Sequence, residues 1–251
     1  MRRLALAALL AVAGGTARAE GPPTASPPRW GSLQLTVSTF QPNIDSGTFS
    51  GGGSIPTTTP YATVFGTSRP ILIQALFSRS LWASTVGTLD LGLGLGYWHV
   101  SGSGIFNNSG TLETGSSTSL TILPVTAALG YRFDIFFDQW GVPLEPYARA
   151  AFVDKVWWAN GQNGTSTATV NGQSFTGMGA TYGWSATLGV ALVLDAFDPG
   201  LARQMTYDTG IAHTMLTFDF TKEDVNDFGS KTSWQLGPSY WMWSAGILFV
   251  F

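Results

Sequence analysis

The sequence predicts an all-β chain: a closed antiparallel up-and-down transmembrane β-barrel, in its simplest form of eight strands, exported behind a cleaved signal peptide. Three observations carry that expectation. The first nineteen residues have the layout of an export signal. Charged residues make up 11% of the chain and aromatic residues 13%, against about 25% charged in an ordinary soluble domain. The remainder alternates apolar with small polar residues and never runs apolar for the ~20 residues a spanning helix needs.

The export signal comes first. Met1-Arg2-Arg3 is a basic head, Leu4 to Ala13 is an unbroken apolar run, and Ala17-Arg18-Ala19 places small residues where a signal peptidase reads them. Cleavage is expected before Glu20. The run is too short to span a bilayer, and the residues around the paired arginines lack the rest of a twin-arginine signal. With no cysteine in the chain, neither a lipid anchor nor a disulfide framework is available. Residues 20–29 (EGPPTASPPR) read as a Pro-rich periplasmic lead-in without capacity to pack, and residues 30–251 as one barrel domain.

Alternation then places the strands. Leu89, Leu91, Leu93, Leu95 and Tyr97 alternate with Asp90, Gly92, Gly94 and Gly96. Tyr182 to Leu194 alternate in the same way with Thr181 to Gly189. A soluble sandwich would carry Lys and Glu on its polar face; Gly, Ser and Thr suit the crowded inside of a barrel. Eight segments follow: about Trp30–Gln41, Pro70–Ser80, Thr85–Val100, Ser117–Phe133, Leu144–Trp158, Ala180–Asp195, Ile211–Lys222 and Pro238–Phe251. The connections 42–69, 101–116, 159–179 and 223–237 are rich in Gly, Ser, Thr and Asn. The alternate set, 81–84, 134–143 and 196–210, is shorter. Long loops outside and short turns inside put both termini in the periplasm. Asp198-Pro199 predicts a short helix in the last turn. Ten or twelve strands remain the alternative if 42–69 or 159–179 contributes another hairpin.

Tryptophans collect at strand ends. Trp30, Trp82 and Trp140 fall at periplasmic ends, and Trp98, Trp157, Trp158, Trp184, Trp234, Trp241 and Trp243 at or near extracellular ends. Indole prefers the membrane interface, so these are expected as belts. Trp241, Trp243, Ala245, Ile247, Phe249 and Phe251 alternate outward and finish on an aromatic, which resembles the closing-strand signal read by barrel-insertion machinery.

The segments Leu35–Ser46, Pro60–Gly66, Phe197–Arg203 and Gly210–Phe220 resemble an outer-membrane β-barrel family best represented in myxobacteria. The resemblance implies fold and location and carries no catalytic motif.

Chemistry is sparse. Gly92-Leu93-Gly94-Leu95-Gly96 lacks nucleotide-loop spacing and sits in an alternating strand. Two histidines without cysteine offer no recognisable transition-metal site, and no cofactor is expected. His213 is expected in the lumen. His99 is expected at the outer rim near Ser101 and Ser103, where a lipid-modifying enzyme is the minor alternative. Asp90, Arg132, Glu145, Arg149, Asp195 and Asp219 share inward parity and are expected to form a structural polar network, with Asp90–Arg132 the favoured pair. Twelve basic residues without a cluster and a net charge of −3 exclude nucleic acid as a partner. Expected partners are outer-membrane lipid and lipopolysaccharide, the insertion machinery, and a surface ligand of the loops. The leading expectation is a non-enzymatic barrel with a plugged lumen and an envelope or surface-contact role; the alternative is a small pore or transport protein.

Overall fold

The computed structural model describes residues 29–46, 59–105, 112–162, 164–170, 173–230 and 233–251. The export signal at 1–19, lead-in residues 20–28, and most of the Ser46–Thr59 stretch lie outside the described residues.

Eight strands run up and down in chain order: β1 (Gly31–Thr39), β2 (Ile71–Ala83), β3 (Thr88–Ile105), β4 (Leu112–Arg132), β5 (Leu144–Gly161), β6 (Met178–Val193), β7 (His213–Val225) and β8 (Met242–Val250). Each pairs antiparallel with the next. Pairs Ser32↔Val250 through Ser38↔Ser244 join β1 to β8, so the sheet closes on itself and leaves no edge. Among the described residues, three short α-helices decorate the connections: α1 (Pro60–Phe65), α2 (Ile135–Asp138) and α3 (Pro199–Thr209). Among the described residues, no helix is long and apolar enough to cross a membrane.

The expected segments match these strands. At the first turn β2 runs on to Ala83 and β3 starts at Thr88, and the other main differences fall at the loop ends. The β3–β4 ladder continues through Ser101↔Ser119, Ser103↔Ser117 and Ile105↔Leu112. Polar residues hid this extension, because a ladder in water needs backbone partners and no apolar face. In the 159–179 connection, Gly164–Thr165 forms only a two-residue ladder on the end of β5, and Thr167–Val170 pairs with Gln173–Thr176, so the connection adds no full-length strand to the wall. β8 begins at Met242 rather than near Pro238, because the preceding residues fold over the mouth: Leu236 N donates to Val225 O at 2.8 Å. α3 forms as expected, with the Asp198 carboxylate accepting from Gly200 N and Leu201 N and Gly210 closing the helix at φ 76°.

Side chains divide cleanly. Leu91, Leu93, Leu95, Leu129, Leu188, Phe218 and Ile247 stand exposed on the outer wall, while Gln34, Ser78, Glu145, Thr217 and Asp219 are buried inside. A register shift between Ser80 and Trp82 turns both Leu81 and Trp82 outward.

The seam of the tube is fastened by its last residue. Phe251 N donates to Gly31 O at 2.9 Å, Trp30 N donates to Phe251 O at 2.8 Å, and the two rings stack at 5.6 Å. Deleting Phe251 removes both hydrogen bonds and the stack, together about 2–3 kcal/mol. The urea midpoint of the refolded protein should fall, and less of it should show the compact, unheated gel migration of a closed barrel. An unchanged midpoint would show that the seam holds without it.

Candidate functional site

The candidate site is the barrel interior, and it has three levels. At the end bearing the termini, two guanidiniums enter a cage of carboxylates. Arg29 approaches Asp134 at 3.1 Å, Asp138 at 2.9 Å and Glu145 at 3.9 Å. Arg132 Nε lies 2.8 Å from Asp134 and 3.2 Å from Glu145. The Arg29 side chain is 6% exposed, so the last lead-in residue does pack, against expectation. Its stem enters beside β1, and the three carboxylates supply the partners that a buried guanidinium requires.

The expected Asp90–Arg132 pair does not form. Register places Arg132 opposite Thr88 and Asp90 opposite Gly130. Arg132 therefore sits at the turn, where Asp134 reaches it, while Asp90 accepts from Ser80 Oγ at 2.9 Å. Burial would raise the Asp134 carboxyl, but the Arg132 and Arg29 charges and the Thr88 hydroxyl outweigh it and hold it below the usual carboxylate range. His213 Nε2 lies 3.1 Å from Arg29 Nη2, and arginine can only donate. The imidazole therefore carries its proton on Nδ1, which donates to Asp195 Oδ2 at 2.7 Å. Asp195 thus belongs to this mouth rather than to the lumen wall.

The middle level is polar. Arg149 donates to Gln34 Oε1 at 2.7 Å. Gln34 Nε2 lies 3.1 Å from each of Tyr147 Oη, Thr217 Oγ1 and Asp219 Oδ2, and the Tyr147 hydroxyl donates to Asp219. Gly189 makes room for this: a Cβ there would strike the Tyr147 ring and the Asp219 carboxylate. Two cavities of about 30 and 70 Å³ border the network. Each has room for no more than a few waters.

The loop end is apolar and closed by residues from the connections. Phe40, Ile44, Tyr61 and Leu236 are buried against Trp98, Leu120, Ile122 and Val153. Asp45 accepts from Tyr61 N at 2.6 Å and Ala62 N at 3.0 Å, which ties α1 over the mouth, and Asn43 N donates to Gly237 O at 3.0 Å. Burial pushes the Tyr61 hydroxyl above its usual range. Within this plug, Lys155 Nζ donates to Glu223 at 2.7 Å and to Leu236 O at 3.0 Å and lies 4.2 Å from the Phe40 ring centre. Neither Lys155 nor Glu223 was among the expected network residues. Parity could have found them, since they continue the inward rows of Val153 and Thr221.

Two tryptophans expected in the belts face inward. Trp98 has the parity of Gly94 and Gly96, is fully buried, and donates Nε1–H to Phe40 O at 3.1 Å. Trp157 follows Lys155 inward and stacks on Trp234 at 4.2 Å. Trp30, Trp82, Trp140, Trp184, Trp241 and Trp243 are exposed; Trp158 is partly buried and has outward parity. Tyr240 lies at the mouth, with Arg69 4.5 Å above its ring. His99 Nδ1 takes Thr121 Oγ1 at 2.9 Å rather than a serine. Among the described residues, no group of three or more His, Cys, Asp or Glu could hold a metal.

No family model matches the chain, and no curated protein matches it, so neither comparison bears on the myxobacterial resemblance. Solved barrels do align. Neisserial surface protein A matches at 11% identity and TM-score 0.40, covering 88% of this chain and 96% of that one. Ail of Yersinia pestis matches at 8% and 0.37, covering 88% and 97%. The N-terminal barrel domain of OprF from Pseudomonas aeruginosa matches at 12% and 0.34, covering 89% and 98%. The closed ladder of the chain itself, and not these distant likenesses, establishes the barrel.

Removing one cation from the cage leaves its three buried or partly buried carboxylates to share the other. Arg132→Ala should cost about 3–5 kcal/mol in urea unfolding. Arg29→Ala should also destabilise, with a diagnostic pH dependence. Asp134 is depressed in the folded state, so its contribution is present above its unfolded pKa of about 4 and is lost as pH falls through the lower folded value. The gap between wild type and Arg29→Ala should narrow on acidification. A gap that widens toward low pH would contradict the cage.

Proposed function

We propose that this chain is a non-enzymatic outer-membrane β-barrel protein with a closed lumen, whose working surface is its outer wall and extracellular rim. The observation that supports the reading is that packed side chains of different chemistry fill the two ends of the interior. An ionic cage that includes Arg29 fills one mouth, and an apolar plug around Trp98 fills the other. Between them lie cavities of about 30 and 70 Å³, each large enough for no more than a few waters.

The membrane assignment rests on the wall. A soluble protein seldom exposes a contiguous apolar face of this extent, whereas a spanning barrel requires one flanked by aromatic residues. Exposed Trp30, Trp82 and Trp140 lie toward the termini, and Trp184, Trp241 and Trp243 toward the long connections, as two interface belts would. The export signal read at 1–19 and the family resemblance point to the same location. Termini in the periplasm leave the plugged end and the projecting β3–β4 and β5–β6 hairpins on the cell surface, available to a surface ligand. Outward alternation through Ile247 and Phe249 to Phe251 suits the insertion machinery during assembly.

The purified, refolded protein in planar bilayers should show no steady open state. Removing the outer plug by truncating Phe40 and Leu236 to Ala should introduce noise before any stable channel, because the cage still closes the other mouth. A stable, ion-selective conductance from the unmutated protein would replace this reading with that of a small pore.

A further inference from the structure

The outer wall is not uniformly ridged. Across β4, β5 and β6 lies an open trench of about 480 Å³, lined almost wholly by apolar atoms. Its floor is Ala148, Ala150 and Ala186, and Leu129 and Leu188 stand beside it. Register explains the shape: Leu129 lies opposite Ala150, Ala150 opposite Ala186, and Ala148 opposite Leu188. Small residues at adjacent outward positions on β5 and β6, between Leu129 and Leu188, leave a slot in the wall.

One row further, the slot meets a charge. Lys222 pairs with Ala186 across β6 and β7, and it faces outward because its neighbours Thr221 and Glu223 are buried lumen residues. It makes no ion pair among the described residues. Asp224, next on the same face, is engaged by Gln235 Nε2 at 2.7 Å. Two indoles flank this position. Trp241 borders the trench and lies on the Phe220 ring at 4.5 Å, and Trp184 sits opposite Asp224. Arg79, the other lysine or arginine with outward strand parity among the described residues, lies toward the termini. An ammonium between interface tryptophans, with an apolar slot running from it toward the middle of the wall, matches a lipid with an anionic head and acyl chains.

We infer that Lys222 and the alanine trench form a binding site for lipopolysaccharide, with a phosphate at Lys222 and an acyl chain in the slot. The inference rests on the outer-membrane reading above. The long-connection end then faces the outer leaflet, where the phosphorylated lipid is lipopolysaccharide rather than phospholipid.

Full-length mature protein, refolded in neutral detergent micelles, would be titrated against fluorescently labelled lipopolysaccharide and followed by anisotropy. Lys222→Ala should weaken binding about fivefold, and Ala150→Phe, which fills the slot, should weaken it as well. Arg79→Ala, on the same wall at the other end, should bind like wild type, and phosphatidylglycerol should displace the probe poorly. Unchanged binding by Lys222→Ala, an equal loss in Arg79→Ala, or equally good displacement by phosphatidylglycerol would each overturn the site. Compact, unheated gel migration and insertion into neutral vesicles are scored separately on the same preparations. If the wild type fails to insert, the membrane reading falls and the site with it; if it inserts and Lys222→Ala binds normally, the site alone falls.

Discussion

An eight-stranded tube encloses a space about one layer of side chains wide, and that width governs nearly every residue inside this protein. Side chains of neighbouring strands must share the same axial slots, so large ones are set against small ones. A Cβ at Gly94 or Gly96 would crowd Leu76 and Gln74, and one at Gly189 would strike Tyr147. Charge placed in such a space cannot be hydrated freely, so each charged group needs a partner at contact distance. The same constraint leaves little room inside beyond what the side chains themselves fill.

The two ends meet that constraint with different chemistry. At the end with the termini, turn residues Asp134 and Asp138 and the strand residue Glu145 assemble around Arg29 and Arg132, and His213 is fixed in one tautomer between Arg29 and Asp195. At the other end, Phe40, Ile44 and Leu236 arrive from the connections and bury against Trp98. The Lys155–Glu223 pair is embedded in that apolar plug. Such a pair adds little net stability over an apolar replacement, but breaking it leaves a buried charge. Because Lys155 also donates to Leu236 O, it fixes where the last connection crosses the mouth.

Strands were the legible part of this sequence because period-two alternation is a local signal that survives without knowledge of neighbours. Leu89–Tyr97 and Tyr182–Leu194 disclose both their strand character and their two faces. Trp98 shows how one local preference can mislead: its indole argues for the interface, yet its parity is that of the glycines and it belongs inside. Lys155 and Glu223 escaped notice because they lie where the apolar alternation fades, although the inward row continues through them. Arg29 and the plug were not legible, since a Pro-rich lead-in and Gly/Ser-rich connections have no period and their contacts span large sequence separations. The cage was half legible: Arg132 and Glu145 were expected in the network, while Asp134 and Asp138 were hidden in a turn.

The central claim is that the interior is closed at both ends, and a chain without cysteine allows it to be tested directly. Ala151 borders the larger interior cavity, between the cage and the plug, and Thr167 is exposed on the hairpin beyond the wall. Single-cysteine variants at these two positions, inserted in vesicles, would be treated with a membrane-impermeant maleimide added outside, inside or on both sides. A closed interior predicts rapid labelling at position 167 and none at position 151 from either side until the barrel is unfolded. Labelling at position 151 as fast as at position 167 would contradict the closed lumen.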